Sequence, residues 1–146
     1  MENCCWHCFD TERLDASSAV LCNFEVYELL QDVKKQSSGK KKKSQQKNLA
    51  TITYETLRFL ESTPCKYQSE RCIREFLLAL TKFQLTKSEK LQLLNTRPTS
   101  AVEIQLIIEE SEERLKDEEV EEILNLVKTL LPGPPEEAAA DGAEDT

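Results

Sequence analysis

The chain has 146 residues, with 27 acidic and 19 basic side chains for a net charge of -8, and 39% of its residues are hydrophobic. A charged fraction of 32% is too high for the whole chain to pack into one body, yet the apolar content excludes disorder throughout. The longest unbroken apolar run, Phe76 to Leu80, is far shorter than the roughly 20 residues of a membrane-spanning helix. The N-terminus does not resemble a secretory signal, so we expect an intracellular protein without a membrane span.

Six cysteines lie at positions 4, 5, 8, 22, 65 and 72, and in an intracellular protein we expect reduced thiols. The CxxC of Cys5 and Cys8, with His7 between them, suggests zinc, but a structural zinc site needs four ligands. Adjacent residues such as Cys4 and Cys5 rarely bind one ion, and no second CxxC or HxxxH follows. We therefore expect residues 1–17 to form a disordered, Cys-rich leader, and we expect no metal ion and no other cofactor.

Residues 18–62 are predicted to form an N-terminal region with two extended segments and two helices. Residues 18–22 (SAVLC) favour a strand or an extended anchor. Asn23 then provides an N-cap for a helix with apolar residues at i, i+3, i+4 and i+7, namely Val26, Leu29, Leu30 and Val33. Residues 34–47 hold seven lysines and no acidic or apolar residue, which is typical of a mobile linker. Such a run is also found in phosphate-binding segments and nuclear-import signals.

The stretch after this linker combines apolar with β-branched residues. In residues 48–53 (NLATIT), Leu49 and Ile52 are apolar and the threonines favour extended backbone. We expect Thr53 to cap a helix over residues 54–62, which ends before Pro64 because the residue before proline disfavours the helical conformation.

Residues 63–132 are predicted to form a helical bundle. Ser69 is expected to cap a strongly amphipathic helix, and Thr86 with Glu89 forms a capping box for the next. Ser100 with Glu103 repeats that pattern before a helix predicted to run to residue 115, and a last helix starts at residue 117 and ends before residue 132. Cys65 and Cys72 are interpreted as small buried hydrophobes, and residues 133–146 as a disordered acidic tail. Six helices without a βαβ unit predict an all-α fold.

The residues needed for common catalytic sites are missing from the sequence. The one histidine lies in the leader, so a Ser/His/Asp or Cys/His arrangement is not expected. Three glycines, at positions 39, 133 and 142, do not form a phosphate-binding loop. We therefore predict a binding protein rather than an enzyme. Residues 103–146 carry 15 acids and 3 bases (-12), and residues 1–102 carry 12 acids and 16 bases (+4), so nucleic-acid contact is expected only in the basic part.

Several motifs occur in a recognisable order: NFEVYELLQDV (23–33), NLATITYETLRFL (48–60), TPCKYQSERCIREFLLAL (63–80) and LTKSEKLQLLNTRPTSAVE (85–103). From about residue 19 to residue 132 the chain resembles the stalk-subunit family that includes subunit nine of RNA polymerase III, subunit four of RNA polymerase II and their archaeal counterpart. The resemblance implies an HRDC-like helical bundle, similar to the helicase and RNase D C-terminal domain, over residues 63–132. The leader of residues 1–17 matches nothing in the family.

The same resemblance implies a nuclear, non-catalytic subunit of RNA polymerase III. Its partners would be the OB-fold stalk subunit, the polymerase core and initiation factors, and the heterodimer would support initiation at small structured RNA genes. Extended apolar segments commonly add to a partner's sheet edge or fill its groove. We therefore predict five partner-binding residues in or beside such segments: Val20, Leu21, Phe24, Leu49 and Ile52.

Two alternatives remain open on the sequence. One is an autonomous nucleic-acid-binding helical module, with a basic face formed by Arg71, Arg74, Lys82, Lys87 and Lys90. The other follows from a second name in the family, the calcitonin gene-related peptide receptor component. It implies an accessory protein of the calcitonin receptor-like receptor complex, located in the cytoplasm or peripherally at the cell membrane.

Overall fold

Every regular element of the described residues is a helix. A computed structural model of the chain describes residues 20–37 and 44–134. Its α-helices are α1 (Asn23–Ser37), α2 (Ser44–Leu60), α3 (Glu70–Ala79), α4 (Lys87–Thr96), α5 (Ala101–Ile107), α6 (Ser111–Arg114) and α7 (Asp117–Leu130). One 3₁₀ helix, Pro64–Tyr67, connects α2 to α3, and a second, Leu80–Lys82, follows α3. The prediction of an all-α fold is confirmed for these residues, and the predicted leader and all but the first two residues of the predicted tail lie outside them.

Local capping signals place several helix starts where the sequence predicts them. The Ser69 hydroxyl accepts a hydrogen bond from the Cys72 amide, and the Thr86 hydroxyl accepts one from the Glu89 amide. Helices α3 and α4 therefore each begin at the residue after the cap. The Ser100 hydroxyl likewise accepts the Glu103 amide at the start of α5. Helix α1 differs, because it already includes Asn23 as its first residue instead of using it as a cap.

Residues 48–53 are helical, so the prediction of an extended segment there is wrong. Thr53 does not cap a helix but lies inside α2, where it is buried together with Leu57 and Leu60. These three positions are spaced i, i+4 and i+7, which places them on one helical face. Burial of this face overrides the β-propensity of the threonines and of Ile52. The helices also extend into the predicted linker, because α1 includes residues 34–37 and α2 includes residues 44–47.

The helix predicted from residue 100 to residue 115 is broken in the structure. Helix α5 ends at Ile107, and Glu110 adopts a left-handed conformation (φ 50°, ψ 42°) before the short helix α6. Such a conformation costs a non-glycine residue about 1–2 kcal/mol, so tertiary contacts must hold it. The broken helix gives seven α-helices in the described part of the chain instead of the six expected.

The main hydrophobic core lies among α3, α4, α5 and α7. Its largest fully buried side chains come from all four helices and their connections: Phe76, Leu80, Leu93, Leu94, Ile104, Ile123 and Leu131. Full burial of a side chain of this size stabilises the fold by about 1.5–3 kcal/mol. Cys22 and Phe24, at the start of α1, also pack against this core.

Helices α1 and α2 pack against each other and against the 3₁₀ helix Pro64–Tyr67, which carries the buried Cys65. We call α1 and α2 together the hairpin. Two polar links to α4 lie beside the hairpin. The Asn23 amide, at the start of α1, donates to Asn95 Oδ1 at 2.9 Å, and the side-chain amide of Gln68, which follows the 3₁₀ helix, donates to the Leu94 carbonyl at 2.9 Å. The start of α1 is therefore held directly to the bundle, and the residues after α2 are held to it through Gln68.

Candidate partner-binding surface

The five residues predicted to bind a partner occupy different environments. Val20, Leu21, Leu49 and Ile52 are exposed, with 45–63% of their surface accessible. Phe24 is partly buried and packs against the main core. Val20 and Leu21 precede α1 without regular secondary structure, whereas Leu49 and Ile52 lie in α2. Four of the five side chains are thus available to a partner, while Phe24 mainly joins the hairpin to the bundle.

Helix α2 carries a second apolar face beside its buried one. Leu49, Ile52, Thr56 and Phe59 follow the alternating spacing of three and four residues that keeps side chains on one side of a helix. Leu49, Ile52 and Phe59 are each at least half exposed, and Phe59 has 65% of its surface accessible. A large aromatic side chain exposed beside two large aliphatic ones is typical of a protein-binding surface.

Helix α1 contributes a further exposed apolar side chain, Leu29. The sequence pattern predicts that Leu29 belongs to a buried stripe of α1. In the structure no side chain at residues 23–36 is fully buried. We define the hairpin surface as the exposed apolar side chains at the start of α1, on α1 and on α2: Val20, Leu21, Leu29, Leu49, Ile52 and Phe59.

The helical conformation of α2 changes how this surface can be recognised. Backbone amides and carbonyls in a helix interior bond to each other and are not available to a neighbouring strand. Leu49 and Ile52 therefore cannot take part in the sheet-edge addition considered from the sequence. Just before α1, the Cys22 amide donates to Glu25 Oε2 at 2.8 Å and is also occupied. A partner would contact α2 through its side chains.

Leu29 and Phe59 are missing from the predicted set of contact residues. Phe59 had a readable signal, because it continues the spacing of Leu49, Ile52 and Thr56. That signal appears only once residues 48–60 are treated as one helix. Leu29 had no such signal, because its position fits a buried stripe, whereas the structure leaves it 54% exposed.

Among the carboxylates of residues 20–37 and 44–134, Glu89 is the one with a strongly shifted pKa, and it lies outside the hairpin surface. Arg114 donates to both of its oxygens, from Nη1 to Oε1 at 2.6 Å and from Nη2 to Oε2 at 3.1 Å. The Thr86 amide donates to Oε2 at 2.7 Å. Burial alone would raise the pKa of Glu89, but the hydrogen bonds from Arg114 and Thr86 outweigh it and lower the pKa from 4.5 to about 2. A carboxylate held this firmly in its charged form suits a structural role better than proton transfer.

This ion pair also holds the backbone at the break between α5 and α6. The same guanidinium donates to the carbonyls of Gln84 at 2.6 Å and Glu109 at 2.9 Å, and the Glu109 amide donates to Glu89 Oε1 at 3.3 Å. Arg114 and Glu110 are four residues apart, a spacing that favours an ion pair on a continuous helix. In the structure Arg114 instead pairs with the distant Glu89, whose carboxylate also accepts a hydrogen bond from the Glu109 amide at the break.

The arginines of the predicted nucleic-acid face have acidic partners within their own helix. Arg71 pairs with Glu75 at 2.9 Å and Arg74 with Glu70 at 2.5 Å. Lys82 pairs with Glu122 of α7. Each of these three pairs offsets a positive charge that phosphate binding would need, which disfavours the part of the predicted nucleic-acid face formed by Arg71, Arg74 and Lys82.

Residues 20–37 and 44–134 contain no cluster of three or more His, Cys, Asp or Glu side chains that could hold a metal ion. The cysteines and histidine of the CCWHC motif lie outside these ranges. In the same part of the chain, no helix combines the length and the hydropathy that crossing a membrane would require.

In sequence, the chain is similar to subunits of RNA polymerases. The sequence profile of the family described as RNA polymerase Rpb4 matches residues 20–131. The chain is 32% identical over 126 residues to DNA-directed RNA polymerase III subunit rpc9 of Schizosaccharomyces pombe, covering 82% of this chain and 98% of the relative. It is 33% identical over 118 residues to the subunit of the same name from Dictyostelium discoideum, covering 77% and 83%. A shorter match, 31% over 67 residues, links it to subunit RPC9 of Saccharomyces cerevisiae, covering 46% of this chain and 42% of the relative.

Proposed function

Because this chain belongs to the RNA polymerase Rpb4 family, we propose that it is a non-catalytic subunit of nuclear RNA polymerase III. In this proposal it forms the stalk heterodimer with the OB-fold stalk subunit and supports initiation at small structured RNA genes. The near-complete coverage of the Schizosaccharomyces pombe relative supports the assignment to polymerase III. In this proposal other subunits carry out nucleotide addition. The carboxylate with the strongly shifted pKa among the described residues, Glu89, is held in an ion pair with Arg114, which agrees with this.

One structural observation carries the heterodimer proposal, the hairpin surface. The hairpin buries Thr53, Leu57 and Leu60 of α2 but leaves leucine, isoleucine and phenylalanine side chains of the same helix exposed, and residues 23–36 of α1 contribute no fully buried side chain. Exposed apolar side chains of this size mark a protein-binding surface. A permanent partner would remove these side chains from water at about 25 cal/mol for each Å² of apolar surface. The contact is expected to be made by the helical face of Leu49, Ile52 and Phe59, with Leu21 and Leu29 at its edge.

Co-purification of the OB-fold stalk subunit with variants of the hairpin surface tests this proposal. The double variant Ile52→Asp/Phe59→Asp places two charges where a partner would bury apolar side chains, which costs several kcal/mol of binding. We expect recovery of the OB-fold subunit and of the polymerase core to fall at least about tenfold. Leu78→Asp is the matched control, because Leu78 is a comparably exposed leucine on α3.

Circular dichroism of the purified variants separates loss of binding from loss of folding. The affected positions are exposed in the isolated chain, so helicity is expected to stay close to that of the parent. Full recovery of the OB-fold subunit with the double variant at unchanged helicity would overturn the assignment of the surface. Equal loss with Leu78→Asp would do the same.

A further inference from the structure

A second exposed apolar strip lies on α5, away from the hairpin surface in the sequence. Leu106 has 81% of its surface accessible, the largest value among the exposed large hydrophobic side chains of the described residues, and Val102 has 65%. The two are four residues apart and so share one face of α5, whereas Ile104 on the other side of the helix is fully buried. The strip is therefore not needed for the core of this chain.

Acidic side chains line the groove in which this strip lies. The groove runs from α5 to α6 and is lined by Val102, Gln105 and Leu106 on one side and by Glu110, Glu112 and Glu113 on the other. No basic residue is among its lining residues. The nearest arginine along the chain, Arg114, is turned to Glu89 and to two backbone carbonyls. We call this feature the α5–α6 groove.

Core contacts fix the acidic side of the groove in place. Ile108 and Ser111, which flank the break between α5 and α6, are both buried. The Arg114 guanidinium holds the Glu109 carbonyl, and the Glu109 amide donates to Glu89. Glu110, Glu112 and Glu113 are exposed on a backbone that is anchored on both sides. The carboxylates are thus presented by a defined backbone beside Val102 and Leu106.

We propose that the α5–α6 groove binds a Lys/Arg-rich amphipathic helix of another protein. The carboxylates repel phosphates and acidic peptides and attract basic side chains. Val102 and Leu106 lie one helical turn apart along the groove, so they can contact apolar side chains spaced i and i+3 or i+4 on a helix that lies in it. The occupant therefore needs apolar side chains on one face and positive charges on the flanks. This site is separate from the stalk assignment and does not depend on it.

Isothermal titration of the full chain with a designed 18-residue helical peptide tests the proposal. The probe has leucines at i, i+3, i+4 and i+7 and lysine or arginine at its remaining surface positions. A second peptide keeps the leucines and replaces the basic residues with glutamate. We expect binding of the basic peptide only, and an affinity that falls as salt rises from 50 to 300 mM, on the order of tenfold.

Matched variants locate the binding site on the chain. Leu106→Ser and Glu112→Gln/Glu113→Gln are each expected to weaken binding about tenfold. Leu78→Ser and Glu118→Gln/Glu121→Gln are the controls, because they make the same changes at exposed positions on α3 and α7. These controls are expected to leave the affinity within about twofold of the parent. Amide chemical shifts are expected to change mainly over residues 102–113.

Several results would overturn the proposal. These are unchanged affinity in the α5–α6 variants, equal binding of the acidic peptide, or loss of binding when the acidic residues after position 134 are removed. Tighter peptide binding after Lys40 to Lys43 are changed to serine would assign the groove to this chain's own lysine run. A dimer in light scattering that Leu106→Ser dissociates would assign it to a second copy. The variants for this test leave the hairpin surface intact, so either proposal can fail without the other.

Discussion

At Glu89, one carboxylate accepts hydrogen bonds from three segments of the chain. The donors are the Thr86 amide at the start of α4, the Glu109 amide after α5 and the Arg114 guanidinium at the end of α6. Replacing such a group leaves the buried donors without a partner, which costs more than the ion pair contributes on its own. The position of α6 relative to α4 therefore depends on one ionised side chain.

We predict that Glu89→Gln lowers the free energy of unfolding by about 3 kcal/mol at pH 7, since a shift of one pKa unit corresponds to about 1.4 kcal/mol. The folded-state pKa of Glu89 is about 2, below its ordinary value of 4.5. The stabilisation is therefore fully present above pH 4.5 and is lost as the pH falls toward 2. Urea unfolding of parent and variant between pH 7 and pH 2.5 measures this difference.

Glu75→Gln is the control for that measurement, because Glu75 pairs with Arg71 on an exposed helix surface. Its effect is expected to stay below about 0.5 kcal/mol at every pH. A Glu89→Gln effect that is equally small, or that does not shrink with falling pH, would contradict the role assigned to the ion pair.

At the scale of elements, helix starts were predictable where the signal was local. Ser69 and Thr86 cap α3 and α4 through residues three positions away, so a short stretch of sequence contains the whole interaction. The break after α5 was not predictable in this way, because the contact that holds it joins Arg114 to Glu89, 25 residues away. The prediction of an extended segment at residues 48–53 was wrong for a related reason. Thr53 is buried with Leu57 and Leu60, and that burial outweighs the preference of its neighbours for extended backbone.

The same reasoning applies to the candidate site. Leu49 and Ile52 could be selected as exposed apolar residues, but their relation to Phe59 depends on the conformation of the whole segment. Phe24 was selected with them because it is apolar and close to residues 20–22, while its contact with the core of a distant bundle is not a property of the local sequence.

We predict that Asn48→Ala raises the free energy of unfolding by about 0.5 kcal/mol. Asn48 is an exposed interior residue of α2, and alanine has a higher helix propensity than asparagine. Asn48→Pro is expected to lower it by about 3 kcal/mol, because proline removes a helical hydrogen bond and clashes with the preceding turn. Urea unfolding with helicity followed by circular dichroism measures both. A neutral effect of proline would indicate that this segment is not helical in solution.

At the scale of the whole molecule, the chain divides into a bundle with a large apolar core and a hairpin with a small one. The bundle buries side chains from four helices, whereas among the described side chains of the hairpin only Thr53, Leu57 and Leu60 of α2 are buried, and residues 23–36 of α1 contribute no fully buried side chain. Regions with few buried apolar contacts open at a lower free energy than the global unfolding of the domain. The hairpin should therefore be the first described region to open.

We predict that amides of α1 and α2 exchange with solvent at least about tenfold faster than those of α3, α4 and α7 in the isolated chain. If the proposed heterodimer forms, binding of the OB-fold stalk subunit should slow exchange in α1 and α2 and leave the bundle nearly unchanged, because burial of the hairpin surface would add stability there only. Hydrogen exchange with mass spectrometry on the free chain and on the heterodimer measures both. Uniform protection of all helices in the free chain would contradict this division.

The thiol of Cys65 offers a chemical reporter for the junction between these two parts. It lies in the 3₁₀ helix that joins α2 to α3, it is 1% exposed, and its Sγ donates to the Leu60 carbonyl at 3.3 Å while accepting from Thr63 Oγ1 at 3.2 Å. An alkylating reagent can reach this sulfur only when the contacts of the 3₁₀ helix with α1, α2 and α4 open. The labelling rate of this natural side chain therefore reports how often the junction between the hairpin and the bundle opens.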